Sequence, residues 1–324
     1  MSPPSSPAVC NLEEDLSTGE IVAAMNDVAG PPKHQDLIYD IGMHKGEDTE
    51  FYLRKGFRVV AFEANPELVG FCKARFREFI EYGRLTIIEG AILESNTLLP
   101  GQKTVQFYVS KLNSVWGTVC EEWAQRNERM GDSSTPVEVD VIDMAAVLEE
   151  YGVPRYMKID IEGCDMACVS ALRKFSVRPD YVSLESEKTG FNSIQQQIDA
   201  LAELGYDAFQ AVEQSKIHRC QVPPLPPKEG KYVTHQFEEG CSGLFGAELP
   251  GGWKSRREIL SHFRIVSLGY RLLGDDSVMS RWRFPLARMI RSLTRSFLKF
   301  ITGSAVPGWH DTHARHASAA ASRT

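Results

Sequence analysis

Leu37-Ile-Tyr-Asp-Ile-Gly-Met-His-Lys-Gly46, followed by Val59-Val-Ala-Phe-Glu63, is the stretch whose reading decides the fold. An apolar strand runs into Asp40, and two glycines, Gly42 and Gly46, follow four positions apart. A helical segment comes next, then a second apolar strand that ends in Glu63. A glycine turn between strand and helix lets a ligand come close to the backbone, and this order opens a nucleotide-type α/β fold.

The loop chemistry narrows the ligand. A dinucleotide site carries G-x-G-x-x-G, with a helix N-terminus facing a pyrophosphate. Here the spacing is Asp40-x-Gly42-x-x-x-Gly46, and His44 stands where the middle glycine would allow pyrophosphate to approach. That pattern argues against a nicotinamide cofactor. S-adenosylmethionine has no phosphate but has an amino-acid end, whose ammonium Asp40 is placed to hold, directly or through water. Glu63 lies 23 residues after Asp40. A carboxylate at the end of the second strand can accept both ribose hydroxyls.

A second acidic group follows in Tyr156-Met-Lys-Ile-Asp-Ile-Glu-Gly163 and Tyr181-Val-Ser-Leu-Glu-Ser-Glu187. A strand ending near Ile159 puts Asp160 and Glu162 at its carboxyl end, with Glu185 and Glu187 at the end of the next. Ligands of open α/β sheets bind outside the carboxyl ends of strands. Clustered carboxylates repel one another, which raises some pKa values and makes one of them a usable base. The candidate bases are Glu162, Asp160 and Glu185, in that order. The same acids could hold a hard divalent cation, but no metal-ligand set is assigned. Solvated loop acids and helix caps remain the structural alternative.

These residues resemble the FkbM-type family of S-adenosylmethionine-dependent methyltransferases. The likeness rests on Asp40-Ile-Gly-Met-His-Lys-Gly46, Val60-Ala-Phe-Glu-Ala-Asn-Pro66, Lys158-Ile-Asp-Ile-Glu-Gly163 and Val182-Ser-Leu-Glu185, within residues 35 to 210. It implies a Rossmann-like class I methyltransferase fold, a mostly parallel sheet with flanking helices. It also implies O-methylation of a hydroxyl on a sugar or natural product, and an adenine contact at Gly90-Ala91, hence Ala91 as a cofactor residue. Family loops read Gly-Ala-Asn-x-Gly; Met43 and His44 replace the Ala-Asn here. His44 reads as a structural histidine before a base. The likeness further marks Ser242-Gly-Leu-Phe-Gly246 and Trp309-His-Asp-Thr-His-Ala314 as pocket candidates. The alternative from another class is a non-catalytic adaptor or membrane-surface protein on the same scaffold.

Composition is that of an ordinary globular protein, 43% hydrophobic and 24% charged. Seven cysteines without a CxxC pair give neither a zinc signature nor a disulfide framework. With no secretory signal and no stretch suited to a bilayer, the expected location is cytoplasmic. No nucleic-acid-binding pattern is present. The net charge of −7 is unevenly placed: Trp253 to Ile301 holds eleven Lys/Arg and three Asp/Glu. Leu286 to Ile301 reads as an amphipathic helix, with Arg288, Arg291, Arg295 and Lys299 opposite an apolar arc. It either packs on the core with a solvated basic face or makes a peripheral contact with an anionic membrane.

The expected organisation is a flexible segment over 1–34 and a core over 35–250. A C-terminal helical extension over 251–314 and a disordered tail over 315–324 complete it. Asn65-Pro66 starts a helix that Gly83 ends. Strands are expected at Leu85–Glu89, Val105–Ser110, Val137–Val141 and Tyr206–Val212, with a helix through Ile194, Ile198 and Leu201. Residues 222–230, rich in proline, read as a rigid connector. The glycine-rich stretch 235–246 reads as a loop that shapes the acceptor site. Trp116 is a further candidate for lining it.

Overall fold

Period-two alternation along the first strand sets the two faces of the sheet. In β1 (Lys33–Ile41), Leu37, Tyr39 and Ile41 join one core cluster, while Ile38 joins the other. The computed structural model describes residues 30–94, 97–112, 114, 117–129, 131–161, 163–186, 190–238, 240–273, 286–302 and 308–321. Residues 1–29 lie outside this set, and β1 begins within the 1–34 segment set apart above.

From β1 the chain passes through α1 (Glu47–Arg54) to β2 (Arg58–Glu63), then through α2 (Pro66–Arg75) and α3 (Arg77–Glu81) to β3 (Leu85–Glu89). Asn65 caps α2 as expected: its side chain accepts a hydrogen bond from the Glu67 amide at 3.0 Å. The helix breaks at Phe76 before Gly83 turns the chain at φ +66°. Strands β4 (Ala91–Ile92), β5 (Thr104–Ser110) and β6 (Ser134–Ile142) form a separate three-stranded sheet in the order β4-β6-β5. Helix α4 (Glu121–Arg129) lies between β5 and β6 in sequence.

After α5 (Met144–Tyr151) the chain re-enters the main sheet as β7 (Val153–Ile159). Helix α6 (Asp165–Leu172), β8 (Tyr181–Glu185), α7 (Phe191–Glu203) and β9 (Tyr206–Glu213) follow. The short α8 (Ile217–Cys220) leads into the connector, and α9 (Arg256–Leu273) and α10 (Ala287–Thr302) precede β10 (His310–His316) and α11 (Ala317–Ala321). The seven-stranded sheet has the order β3-β2-β1-β7-β8-β10-β9. Every pairing on the β3-to-β8 side is parallel, whereas β10 runs antiparallel to both β8 and β9. The chain winds outward from β1 in one direction and resumes at β7 in the other. The carboxyl ends of β1 and β7 therefore flank the topological switch point where such sheets bind ligands.

Two expectations differ from this architecture. Residues 251–314 do not form a purely helical extension, because His310–His316 insert as a strand between β8 and β9. Ile259, Phe263, Leu298 and Ala314 belong to the same core cluster as the sheet, so this part shares the core. The range expected as a disordered tail carries the end of β10 and α11; only residues 322–324 lie outside the described set. His310 and His313 are buried, a placement that polar side chains conceal in the sequence.

The connector is tied down at its end. Glu229 accepts from Arg155 Nε at 2.7 Å and from the Ala247 amide at 2.8 Å, and buried Lys55 donates to Glu248 at 2.9 Å. The glycine-rich stretch then packs under α1. Phe237, Cys241 and Phe245 are buried there, with the Phe245 ring stacked on Tyr156 at 4.8 Å.

Candidate active site

The loop after β1 is laced to the neighbouring strand by its backbone. The amides of Gly42 and Met43 both donate to the Phe62 carbonyl, at 3.1 and 2.9 Å. Gly42 has φ +84°, and a Cβ there would lie 1.9 Å from the Asp160 carbonyl oxygen. Glycine is thus required both by the backbone angle and by the close approach of the β7 end. Gly46 also has φ +84°, but its missing Cβ makes room for the Phe76 ring, so it serves packing.

A cavity of about 470 Å³ opens at this switch point. Gly42, Glu63, Ala91, Asp160 and Glu185 all line it, together with Met43, His44, Lys158, Gly240 and Trp309. Sequence reasoning thus brought five of its site residues to one place. Two others stand elsewhere: Asp40 and Gly46 are not among the lining residues. Glu162, the first candidate base, lies outside the described residues, as do Glu187 and Trp116.

Asp40 lies behind the wall for a reason that the strand pairing supplies. It shares a face with Ile38, and it pairs across the sheet with Lys158. Fully buried, it accepts from Lys158 Nζ at 3.1 Å and from Thr49 Oγ1 at 2.5 Å. Lys158 also donates to the Gly42 carbonyl at 2.9 Å, and its Nζ stands 3.8 Å from Asp48 and 4.0 Å from Asp160. Burial alone would lower the pKa of Lys158, but Asp40, Asp160 and Asp48 outweigh it and hold the ammonium well above its ordinary value. One cation thus ties the first loop, the first helix and the end of β7 together.

Two acids near it, Asp48 and Asp311, are pushed toward their neutral forms. Burial pushes Asp48 up to about 6, against the pull of Lys158, although the Ser242 amide donates to its carboxylate at 3.0 Å. Asp311, opposite Glu185 in the β8–β10 pairing, is pushed well above the usual carboxylate range by burial, reinforced by Asp160 and Glu185. Sequence reading did not single out Lys158, Asp48 or Asp311 as site residues. For Asp311 the signal was present in the Trp309–Ala314 string. Lys158 heads the Lys158–Gly163 string of the family likeness, but nothing in the sequence marked Asp48, and the meeting of the two depends on packing across elements.

Glu63 occupies the other wall. Its two oxygens accept from the His44 amide at 2.9 Å and the Asn65 amide at 2.8 Å, and burial raises its pKa. A carboxylate has about four lone-pair sites, so a ligand hydroxyl can still be accepted. His44 has both ring nitrogens engaged: Nδ1 is 3.1 Å from Glu47 and Nε2 is 2.7 Å from Ser114. It reads as a structural residue that fixes the loop. Ala91 and Phe107, from the small sheet, provide an apolar side, as an aromatic base requires. The donor set therefore fits a ligand with a ribose, a cationic end and a flat base. Among the described residues, no group of three or more His, Cys, Asp or Glu side chains is arranged to hold a metal.

Comparison with known proteins agrees in kind. No curated protein is detectably similar to the chain. The precorrin-6y C5,15-methyltransferase of Geobacter metallireducens shares 15% identity over 63% of this chain and 82% of its own, with a TM-score of 0.29. The C-terminal domain of the enzyme of that name from Rhodobacter capsulatus shares 12% over 68% and 87%, at 0.32. The precorrin 8w decarboxylase from Methanobacterium thermoautotrophicum shares 14% over 66% and 82%, at 0.31. At these scores none of the three bears on function. The family model is of another weight: the methyltransferase FkbM domain matches residues 40–208, more than half of the chain, and takes in the loop, both cavity walls and the Lys158 cluster. The chain belongs to the FkbM methyltransferase family.

Proposed function

We propose that this protein transfers a methyl group from S-adenosylmethionine to a hydroxyl oxygen of a small-molecule or glycan acceptor. The observation that carries the reading is the pairing of Glu63 on one wall of the cavity with Asp160 and Glu185 on the other. When bound, S-adenosylmethionine supplies a methyl carbon already activated by its sulfonium. The protein's work is then to position the acceptor and to receive its proton.

Glu63 accepts the ribose hydroxyls, oriented by the two backbone amides that fix its carboxylate. Gly42 lets the loop close against the end of β7 at the cavity, and Ala91 faces the base. Asp160 meets the cationic end of the cofactor, and Asp40 acts at one remove by holding Lys158. The acceptor proton passes to a carboxylate on the β7–β8 rim, with Glu185 and Asp160 the described candidates. Sugars and hydroxylated natural products are the acceptor class to which the family likeness points.

Calorimetric titration with S-adenosylhomocysteine, with NAD as control, tests the cofactor. Micromolar binding of the former alone supports the reading, and a screen of sugar acceptors with labelled cofactor then tests the transfer. A folded protein that binds neither compound would overturn it in favour of the adaptor alternative.

A further inference from the structure

Helix α10 presents an apolar face that nothing in the described structure covers. Leu298 and Ile290 pack toward the core, but Leu286, Met289, Leu293, Phe297, Phe300 and Ile301 point outward. Phe297 and Leu293 are 62% exposed and Phe300 is 88% exposed. The pattern expected to seat this helix on the core therefore has only a narrow seam there. Its larger apolar arc is free over 16 residues, roughly 24 Å.

The charges point to the occupant. Helix α10 contains no acidic residue, and α9 and α10 together hold eight Lys/Arg against Glu258 alone, in a chain whose net charge is −7. Arg288, Arg295 and Lys299 are exposed on the face opposite the apolar arc. A basic polar face set against a Phe- and Leu-rich apolar face, with no acid on the helix, is the pattern of a helix that lies in a bilayer interface. An anionic bilayer surface answers both features. Its headgroups supply the missing negative charge, and its acyl boundary takes the aromatic and aliphatic side chains. No described helix is long and apolar enough to cross a membrane, so the geometry is that of a helix lying on the surface.

We infer that α10 docks this protein on anionic lipid bilayers, with Leu293, Phe297 and Phe300 inserted and the basic face of Arg288, Arg295 and Lys299 above them, within reach of the negative surface potential of the headgroups. Thr302 is seven residues from Trp309, which lines the cavity. A chain of that length spans at most roughly 25 Å, so docking keeps the cavity wall close to the bilayer.

Co-sedimentation of the full-length protein with vesicles tests this. Vesicles of phosphatidylcholine with phosphatidylserine should carry the protein down, and phosphatidylcholine alone should not. Phe297→Glu with Phe300→Glu, and separately Arg288→Glu with Arg295→Glu, should each weaken binding at least about tenfold. Both pairs are exposed, so both variants should melt like the wild type. Three results overturn the inference: wild-type protein that stays in the supernatant, equal binding to both vesicle types, or variants that bind as the wild type does. A soluble dimer dissolved by the phenylalanine variant, with no vesicle binding, would assign the face to a second copy instead.

Discussion

Replacing Lys158 with methionine keeps most of the apolar stem of the side chain and removes the charge that stands within 4.0 Å of three acids. At an effective dielectric of about 20, the 3.1 Å contact with Asp40 alone amounts to roughly 5 kcal/mol of attraction. Desolvation of the ammonium offsets much of this in the wild type. The methionine variant, however, leaves Asp40 with only Thr49, and Asp48 with the Ser242 amide. Breaking a buried pair by deleting one partner costs about 3–5 kcal/mol. For a chain of this size that corresponds to a fall in Tm of roughly 6–20 °C at pH 8. The loss must also depend on pH. Burial already holds Asp48 above its unfolded value, and the variant removes the cation that pulls it down, so the penalty is full above its folded pKa. It shrinks as pH falls through the folded pKa toward the unfolded value of about 4, below which the carboxyl is protonated in both states. Thermal denaturation of wild type and variant across pH 4.5–8 reads both effects. A loss below about 1 kcal/mol, or one that does not change with pH, would refute the view of Lys158 as the clasp of the site.

Other consequences can be measured separately. Glu63→Ala should weaken S-adenosylhomocysteine binding at least about tenfold by calorimetry, and an unchanged Kd removes Glu63 from the ribose role. Asp160→Asn should slow methyl transfer at saturating cofactor by about 100-fold or more if its carboxylate receives the proton; wild-type turnover would leave the role to Glu185 or Glu162. Burial depresses His262 to about 4 and His313 to about 3. Because their folded pKa values lie below the unfolded one, the unfolded chain binds more protons, and stability is lost as pH falls from 6.5 toward these values. The loss is about 3 kcal/mol for His262 alone by pH 4. A His262→Asn, His313→Asn variant should show a flatter stability profile between pH 6.5 and 4, and an equally steep one would show that other groups govern acid unfolding.

What could be read before folding is what depends on neighbours in the chain. The apolar runs ending in Asp40, Glu63, Ile159 and Glu185 identify parallel strands, since each is buried on both faces and must stop where polar atoms begin. Gly42 and the Asn65-Pro66 cap are local backbone requirements, and the structure meets both. Glu63, Asp160 and Glu185 reach the cavity because strand ends in a doubly wound sheet share one rim.

Strand β10 was not legible, because His310-Asp-Thr-His-Ala-Arg-His316 lacks the apolar alternation that marks a strand. It is buried only because β8 and β9 close on it from either side. The place of Asp40 was misjudged for a related reason. Its sequence position puts it at the mouth of the loop, but the parity of β1 turns it toward α1, and the register with β7 sets it against Lys158. The sequence by itself determined the strand ends, the glycine turn and the acids of the rim, because those are consequences of bonded geometry and of burial along one strand. Only the tertiary structure decided which acid meets which cation, which strand fills the sheet and which face of α10 is left bare. Those depend on register and packing between segments far apart in the chain, and Coulomb energy and desolvation act on distances that no single stretch of sequence contains.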